Sequence, residues 1–133
     1  MTKSYRQLEV WQRAIELVEQ VYQLCANLPP EERYGLRSQM TRAAVSISAN
    51  IAEGYDRVAR GDYVQHLSIA RGSLMEVETQ LTIAVRLKLV RRAEAVPVWH
   101  LAEKVCQMLT KLILSLKPPT RYPQPATRRN TVE

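Results

Sequence analysis

Apolar residues recur along this chain at steps of three and four in four separate stretches, the spacing that lines one side of an α-helix. The first stretch, from about Leu8 to Leu28, carries two such stripes. One is Leu8, Trp11, Ile15, Val18, Tyr22 and Cys25; the other is Val10, Ala14, Leu17, Val21, Leu24 and Leu28. Two stripes make a wider apolar face than one neighbouring helix requires. Glu9, Arg13, Glu16 and Glu19 form the polar side. Leu28-Pro29-Pro30 ends the stretch, because the residue before a proline is pushed out of helical geometry.

A second helix is expected from about Glu31 or Tyr34 to Gly54 or Tyr55. Pro30, Glu31 and Glu32 suit a first turn. Gly54 is the expected terminator, able to adopt positive φ; the alternative is a helix that runs on to Arg57. Ala43, Ala44, Ser46, Ser48, Ala49 and Ala52 are small enough to let another helix approach closely. The third helix opens at Gly61-Asp62, with Asp62 as N-cap, and follows the stripe Tyr63, Leu67, Ala70, Leu74, Val77, Leu81 and Ala84 to about Val90. That is about 28 residues, roughly 40 Å of helix. The fourth begins near Pro97, with stripes Val98, Leu101, Val105, Met108, Leu112 and Ala102, Cys106, Leu109, Ile113, Leu116, and stops at Lys117-Pro118-Pro119.

No stretch alternates as a half-buried strand would. The fold class predicted is all-α: an antiparallel up-down-up-down four-helix bundle over residues 1–117, followed by a disordered basic tail over residues 118–133. A chain of 133 residues is long enough for one domain with a real core. That core contains no Phe and must be built from Leu, Ile, Val and Ala with a few Tyr, Trp and Met. The doubly striped first and fourth helices leave apolar surface uncovered in a monomer, which predicts a homo-oligomer. No apolar run approaches the roughly 20 residues needed to cross a bilayer, and the N-terminus lacks a signal-like apolar segment, so a cytoplasmic protein with no membrane partner is expected. Cys25 and Cys106 lie on apolar stripes and read as reduced core residues.

One interruption of the pattern stands out. Leu36, Met40, Ala43 and Ile47 lead in the same rhythm to Asn50 and Gly54, with Glu53 beside them. An amide on an inward stripe costs free energy unless it finds partners, so it usually specifies register or assembly. Asn50 and Glu53 are therefore expected to be at least partly buried and hydrogen-bonded across helices. Arg42 or Arg71 is the expected charged partner. Asn50, Glu53, Gly54, Arg42 and Arg71 form the candidate structural and assembly set.

Catalytic patterns are missing. His66 and His100 fall on different helices without a Cys or carboxylate at ligand spacing. The pairs Glu76/Glu78 and Glu53/Asp56 do not make a Glu-x-x-His pattern, although Glu78 falls within reach of Glu103. Gly72-Ser73 reads as a close helix contact rather than a nucleophile. The expectation is no catalytic residue, no cofactor and no metal, hence no enzyme.

Charge says more. The net charge is +6 with a pI near 9.6, and about half of it lies from Lys117 onward. Arg33, Arg37, Arg42, Arg57, Arg60 and Arg71 gather in and around the second helix; Arg86, Lys88, Arg91 and Arg92 gather at the end of the third. Arginine binds phosphate bidentately and also pairs with carboxylates. One reading is a polyanion surface made by Arg33, Arg37, Arg57 and Arg60 on one rim, with Arg121, Arg128 and Arg129 of the tail as a flexible second contact. The other is a set of salt bridges to Glu9, Glu16 and Glu19. Tyr34, Tyr55 and Tyr63 are the few aromatics beside these arginines, a sparse supply for single-strand stacking.

Several of these segments together resemble a known family. Leu8-Glu9-Val10-Trp11-Gln12-Arg13-Ala14, Tyr34-Gly35-Leu36, Gln39, Arg42-Ala43-Ala44, Ser46-Ile47, Asn50-Ile51-Ala52-Glu53-Gly54 and Ala70-x-Gly72-Ser73-Leu74-x-Glu76 occur in the same order in the bundle proteins encoded in intervening sequences of bacterial 23S ribosomal RNA genes. The resemblance covers Leu8 to about Leu87; the last quarter is similar only in helical character. Many members carry proline where this chain has Ser48, which implies a weaker bend here. The resemblance implies a four-helix bundle assembled as a ring-like pentamer. It also implies a distant relation to the accessory variability proteins of diversity-generating retroelements, which are basic bundles that work with a reverse transcriptase and nucleic acid. It brings no established activity. The functional expectation is a non-enzymatic, oligomeric binding or scaffold module for structured RNA or other nucleic acid. The alternative is a protein–protein adaptor with no nucleic-acid role, and a cryptic enzyme is the third reading.

Overall fold

The structure, a computed structural model, describes residues 4–57 and 59–117. Four helices account for most of it: α1 (Glu9–Cys25), α2 (Leu36–Tyr55), α3 (Arg60–Arg86) and α4 (Arg92–Leu116). Short 3-10 turns precede α1 at Tyr5–Gln7 and α2 at Pro30–Glu32, and no strand occurs among the described residues. Each helix packs on its two neighbours in the cycle α1–α2–α3–α4–α1, most extensively α2 on α3. Neighbours are antiparallel. Leu24, late in α1, borders Pro97 and Val98, early in α4, and Gln39 and Arg42 of α2 share a groove with Glu76 and Gln80 of α3. This is the expected four-helix bundle. One end of it carries the α1–α2 and α3–α4 connections; the other carries the α2–α3 connection.

The periodic stripes explain the core. Val10, Ala14, Leu17, Val21, Leu24 and Leu28 are all buried, as are Leu67, Ala70, Leu74, Val77, Leu81 and Ala84. The second stripe of α1 is not equivalent: Trp11, Ile15 and Val18 are only half-buried and Tyr22 is exposed. On α4, Leu101, Met108 and Leu112 likewise stay half-buried while Val98, Ala102, Val105, Leu109 and Ile113 are sealed. The described residues thus leave an apolar flank on each of α1 and α4, as the double stripes predict.

Several boundaries differ from the sequence reading. α1 stops at Cys25 and α2 starts at Leu36, so the acidic turn at Pro30–Glu32 is a separate 3-10 turn and not part of α2. α3 is preceded by Ala59, and Asp62 is no N-cap; it lies in the first turn, where its charge favours the positive helix end. α4 begins at Arg92 and contains Pro97. Pro97 removes the bond to the carbonyl of Ala93, but Ala93 is exposed, so water can satisfy that oxygen. The basic tail expected over residues 118–133 lies outside the described residues.

Gly54 is the sharpest correction. It lies inside α2, and no described glycine has positive φ. It is buried, and a Cβ there would lie 2.7 Å from His66 Cβ and 3.1 Å from Tyr63 Cδ1 of α3. Gly54 is therefore a contact glycine that sets how closely the two helices meet. Gly72, expected to be such a contact, is exposed with open space around it.

One acid sits awkwardly in the α3–α4 seam. Glu78 lines a groove with Trp99, Glu103 and Cys106. Partial burial first, and the Glu103 carboxylate second, hold the Glu78 carboxyl above the usual range. The folded state then binds this proton more readily than the unfolded state, so the ionised group opposes folding above its folded pKa and the penalty fades as pH falls through it.

Two outcomes follow. Gly54→Ala should lower stability in urea unfolding by about 1–3 kcal/mol from overpacking, even though alanine favours a helix by about 1 kcal/mol. An unchanged or raised stability would mean that α2 and α3 separate without cost. Glu78→Gln should raise the neutral-pH stability, with the gain vanishing as pH falls below the carboxylate range; a gain that persists in acid would assign it to packing instead.

Candidate functional site

The α2–α3 seam holds the amide that interrupts the stripe. Asn50 is half-buried, and its Nδ2 donates to the Ser46 carbonyl at 2.9 Å and to Ser46 Oγ at 3.1 Å. Ser46 Oγ in turn lies 2.9 Å from Ser73 Oγ of α3. The link across helices therefore runs through two serines, with Asn50 behind them rather than crossing itself. The four-residue spacing of Ser46 and Asn50, which places both on one helix face, is the sequence signal for this relay. Gln39, Arg42, Glu76 and the buried Gln80 complete the walls of the groove, and Gln80 Oε1 has no hydrogen-bond partner among the described residues.

Glu53 departs from expectation. It is exposed and pairs with Arg57, two residues past the end of α2, at 2.7 Å. His66 Nε2 of α3 approaches the same carboxylate oxygen at 3.6 Å, an ion pair when the imidazole is protonated. Its other ring nitrogen, Nδ1, lies 2.8 Å from the Asp62 carbonyl and must donate to it. Arg42 and Arg71 are exposed and form no ion pair among the described residues. For Arg42 the reason is distance along the rod: eleven residues separate it from Glu53, about 16 Å of helix.

The arginines do not form one rim on a single subunit. Arg33 and Arg37 stand where α2 begins, whereas Arg57 and Arg60 flank its far end. Twenty residues separate Arg37 from Arg57, about 30 Å of helix. Arg57 is engaged by Glu53, and Asp56 and Asp62 lie close by in sequence. Arg13, within α1, pairs with Glu16 at 2.7 Å and lies 3.9 Å from Glu9. None of the clustered arginines pairs with Glu9, Glu16 or Glu19 among the described residues: Glu9 and Glu16 are met by Arg13 of their own helix, and Arg57 by Glu53. Arg121, Arg128 and Arg129 lie outside the described residues.

The opposite end is different. The two connections there bring Arg33 and Arg37 to the end that also carries Arg86, Lys88, Arg91 and Arg92. Against these stand Glu31, Glu32 and Glu94, and only Arg91–Glu94, at 2.9 Å, is an ion pair among the described residues. Lys88 has φ 60°, the left-handed region that favours glycine. Leu89 N–H donates to Ala84 O at 2.9 Å and Lys88 N–H to Val85 O at 3.0 Å, the pair of bonds that closes a helix around a left-handed residue. A lysine thus occupies a turn position that glycine would fill at lower conformational cost.

Beside this end, Pro30, Arg33, Tyr34, Arg37, Ser38 and Thr41 line an open concavity together with the end of α1. Tyr34 is 86% exposed, and the Arg33 guanidinium lies 5.5 Å from its ring centroid. The other two tyrosines singled out from sequence are spent on packing: Tyr55 and Tyr63 meet edge-on with centroids 6.0 Å apart. Burial first, then Tyr55, pushes the Tyr63 hydroxyl above its ordinary pKa. Cys25 is fully buried 3.8 Å from Met40 Sδ, and burial outweighs the nearby Arg37 charge to push its thiol up to about 11. That makes it an inert core thiol at neutral pH.

No group of three or more metal-ligating side chains occurs among the described residues. No described helix is long and apolar enough to cross a membrane.

The comparison with curated proteins finds no match. Among solved structures, a protein of unknown function from the S23 ribosomal protein family of Bacteroides thetaiotaomicron superimposes with a TM-score of 0.73 at 23% identity. The match covers 78% of this chain and 97% of that one, and at this identity it speaks for the fold alone. The family model described as 23S rRNA-intervening sequence protein matches residues 6–111, most of the bundle from the turn before α1 into the last turns of α4, and the chain belongs to that family.

Proposed function

We propose that this chain is a non-enzymatic, self-associating helical-bundle module whose cationic end binds structured RNA or a similar polyanion. The observation that carries the reading is the gathering of Arg33, Arg37, Arg86, Lys88, Arg91 and Arg92 at one end with a single ion pair there among the described residues. Unpaired arginines keep their donors free for phosphate. The strained turn at Lys88 supports the same reading, since it holds a cation where packing alone favours glycine.

Self-association rests on the half-buried flanks of α1 and α4, and the expectation of five copies comes from the family resemblance. A ring would repeat the cationic end once per subunit. Repetition turns weak single contacts into avidity when one polymer reaches several subunits.

Light scattering at micromolar concentration should give a mass several times 15.3 kDa; a monomer mass would remove the oligomer. Fluorescence titration with an RNA hairpin should show affinity falling steeply between low and physiological salt, because each phosphate contact releases counterions. Lys88→Gly should weaken that binding while raising stability by about 1 kcal/mol. Absence of binding even at low salt would leave the protein–protein adaptor reading ahead.

A further inference from the structure

We propose that the concavity beside Tyr34 holds an unpaired nucleotide, its base on the Tyr34 ring and its phosphate between Arg33 and Arg37. This rests on the polyanion reading and deepens it from bare charge to a single-strand subsite.

Tyr34 is the most exposed aromatic among the described residues, at 86%, against 52% for Tyr22. A ring left in water contributes little to the fold. What the ring does touch is a cation: the Arg33 guanidinium at 5.5 Å from its centroid. That contact leaves most of the ring surface open, and every nucleobase offers a flat face to stack on it.

The rest of the concavity supplies the complementary chemistry. Arg37 has no carboxylate partner among the described residues. The Ser38 hydroxyl is likewise unengaged, whereas Thr41 spends its own on the Arg37 and Ser38 carbonyls at 2.8 and 3.2 Å. The Pro29 and Pro30 rings also line the concavity and add apolar surface to it. The open part of the ring and the proline rings suit a base; the Arg33 and Arg37 guanidiniums, without a carboxylate partner among the described residues, and the Ser38 hydroxyl suit its phosphate. A base inside a duplex cannot reach this ring, because both its faces are already stacked. The subsite therefore selects a loop, bulge or single strand.

The test compares full-length wild type, Tyr34→Leu, Tyr34→Phe and Arg37→Gln against a short unstructured RNA and a blunt RNA duplex of similar charge, at one low salt concentration. Tyr34 is exposed, so its replacement leaves the core intact, and circular dichroism checks this. Tyr34→Leu should weaken single-strand binding by about 5- to 100-fold, the range for loss of one stacked base, and leave duplex binding within about twofold. Tyr34→Phe should retain wild-type affinity for both, and Arg37→Gln should weaken both. If wild type binds both RNAs and Tyr34→Leu changes neither, or changes both equally, the subsite is wrong and the cationic end still stands. If wild type binds neither, the subsite and the polyanion reading fall together.

Discussion

How closely α2 approaches α3 governs the rest of this bundle. Gly54 has no side chain, so His66 and Tyr63 can press against its backbone. Ala43 and Ser46 are the small residues that line the rest of the seam. Close approach brings Ser46 within hydrogen-bond distance of Ser73 and lets Asn50 stand behind it. It also places His66 beside Glu53. A wider seam would leave these polar atoms without partners at the edge of an apolar core, where an unmade hydrogen bond costs about 1–3 kcal/mol. The small residues and the polar relay are thus one device.

That device is confined to one seam. The α1 and α4 flanks carry larger side chains, such as Trp11 and Met108, that stay half-buried. Uncovered apolar surface is not confined to those flanks, since Val45 on α2 and Ile69, Met75 and Ile83 on α3 are also exposed. The charge is polarised along a different direction. Acids answer Arg57 near the α2–α3 connection and Arg13 along α1, whereas at the end with the other two connections only Arg91 has a carboxylate partner among the described residues. Loops at that end are short and held by backbone hydrogen bonds and prolines, so cations there are carried on fixed geometry.

Sequence by itself determined the class of fold and most of the core. Helical periodicity is a property of consecutive residues, and Leu67, Ala70, Leu74, Val77, Leu81 and Ala84 all went inside as their spacing demanded. The double stripes of α1 and α4 also announced more apolar surface than one bundle covers. Tertiary structure decided the rest. Whether Gly54 ends a helix or admits a neighbour depends on what stands opposite, and His66 and Tyr63 come from another helix. Glu53 had several candidate cations in sequence, and only the 1.5 Å rise per residue and the antiparallel pairing chose Arg57 and His66 over Arg42 and Arg71. Arginines adjacent in the sequence reading were divided between opposite ends by the length of α2, while Arg33 and Arg37 were joined to Arg86, Lys88, Arg91 and Arg92 from half a chain away. Local pattern fixes which side of a helix is wet; only packing fixes which wet residues meet.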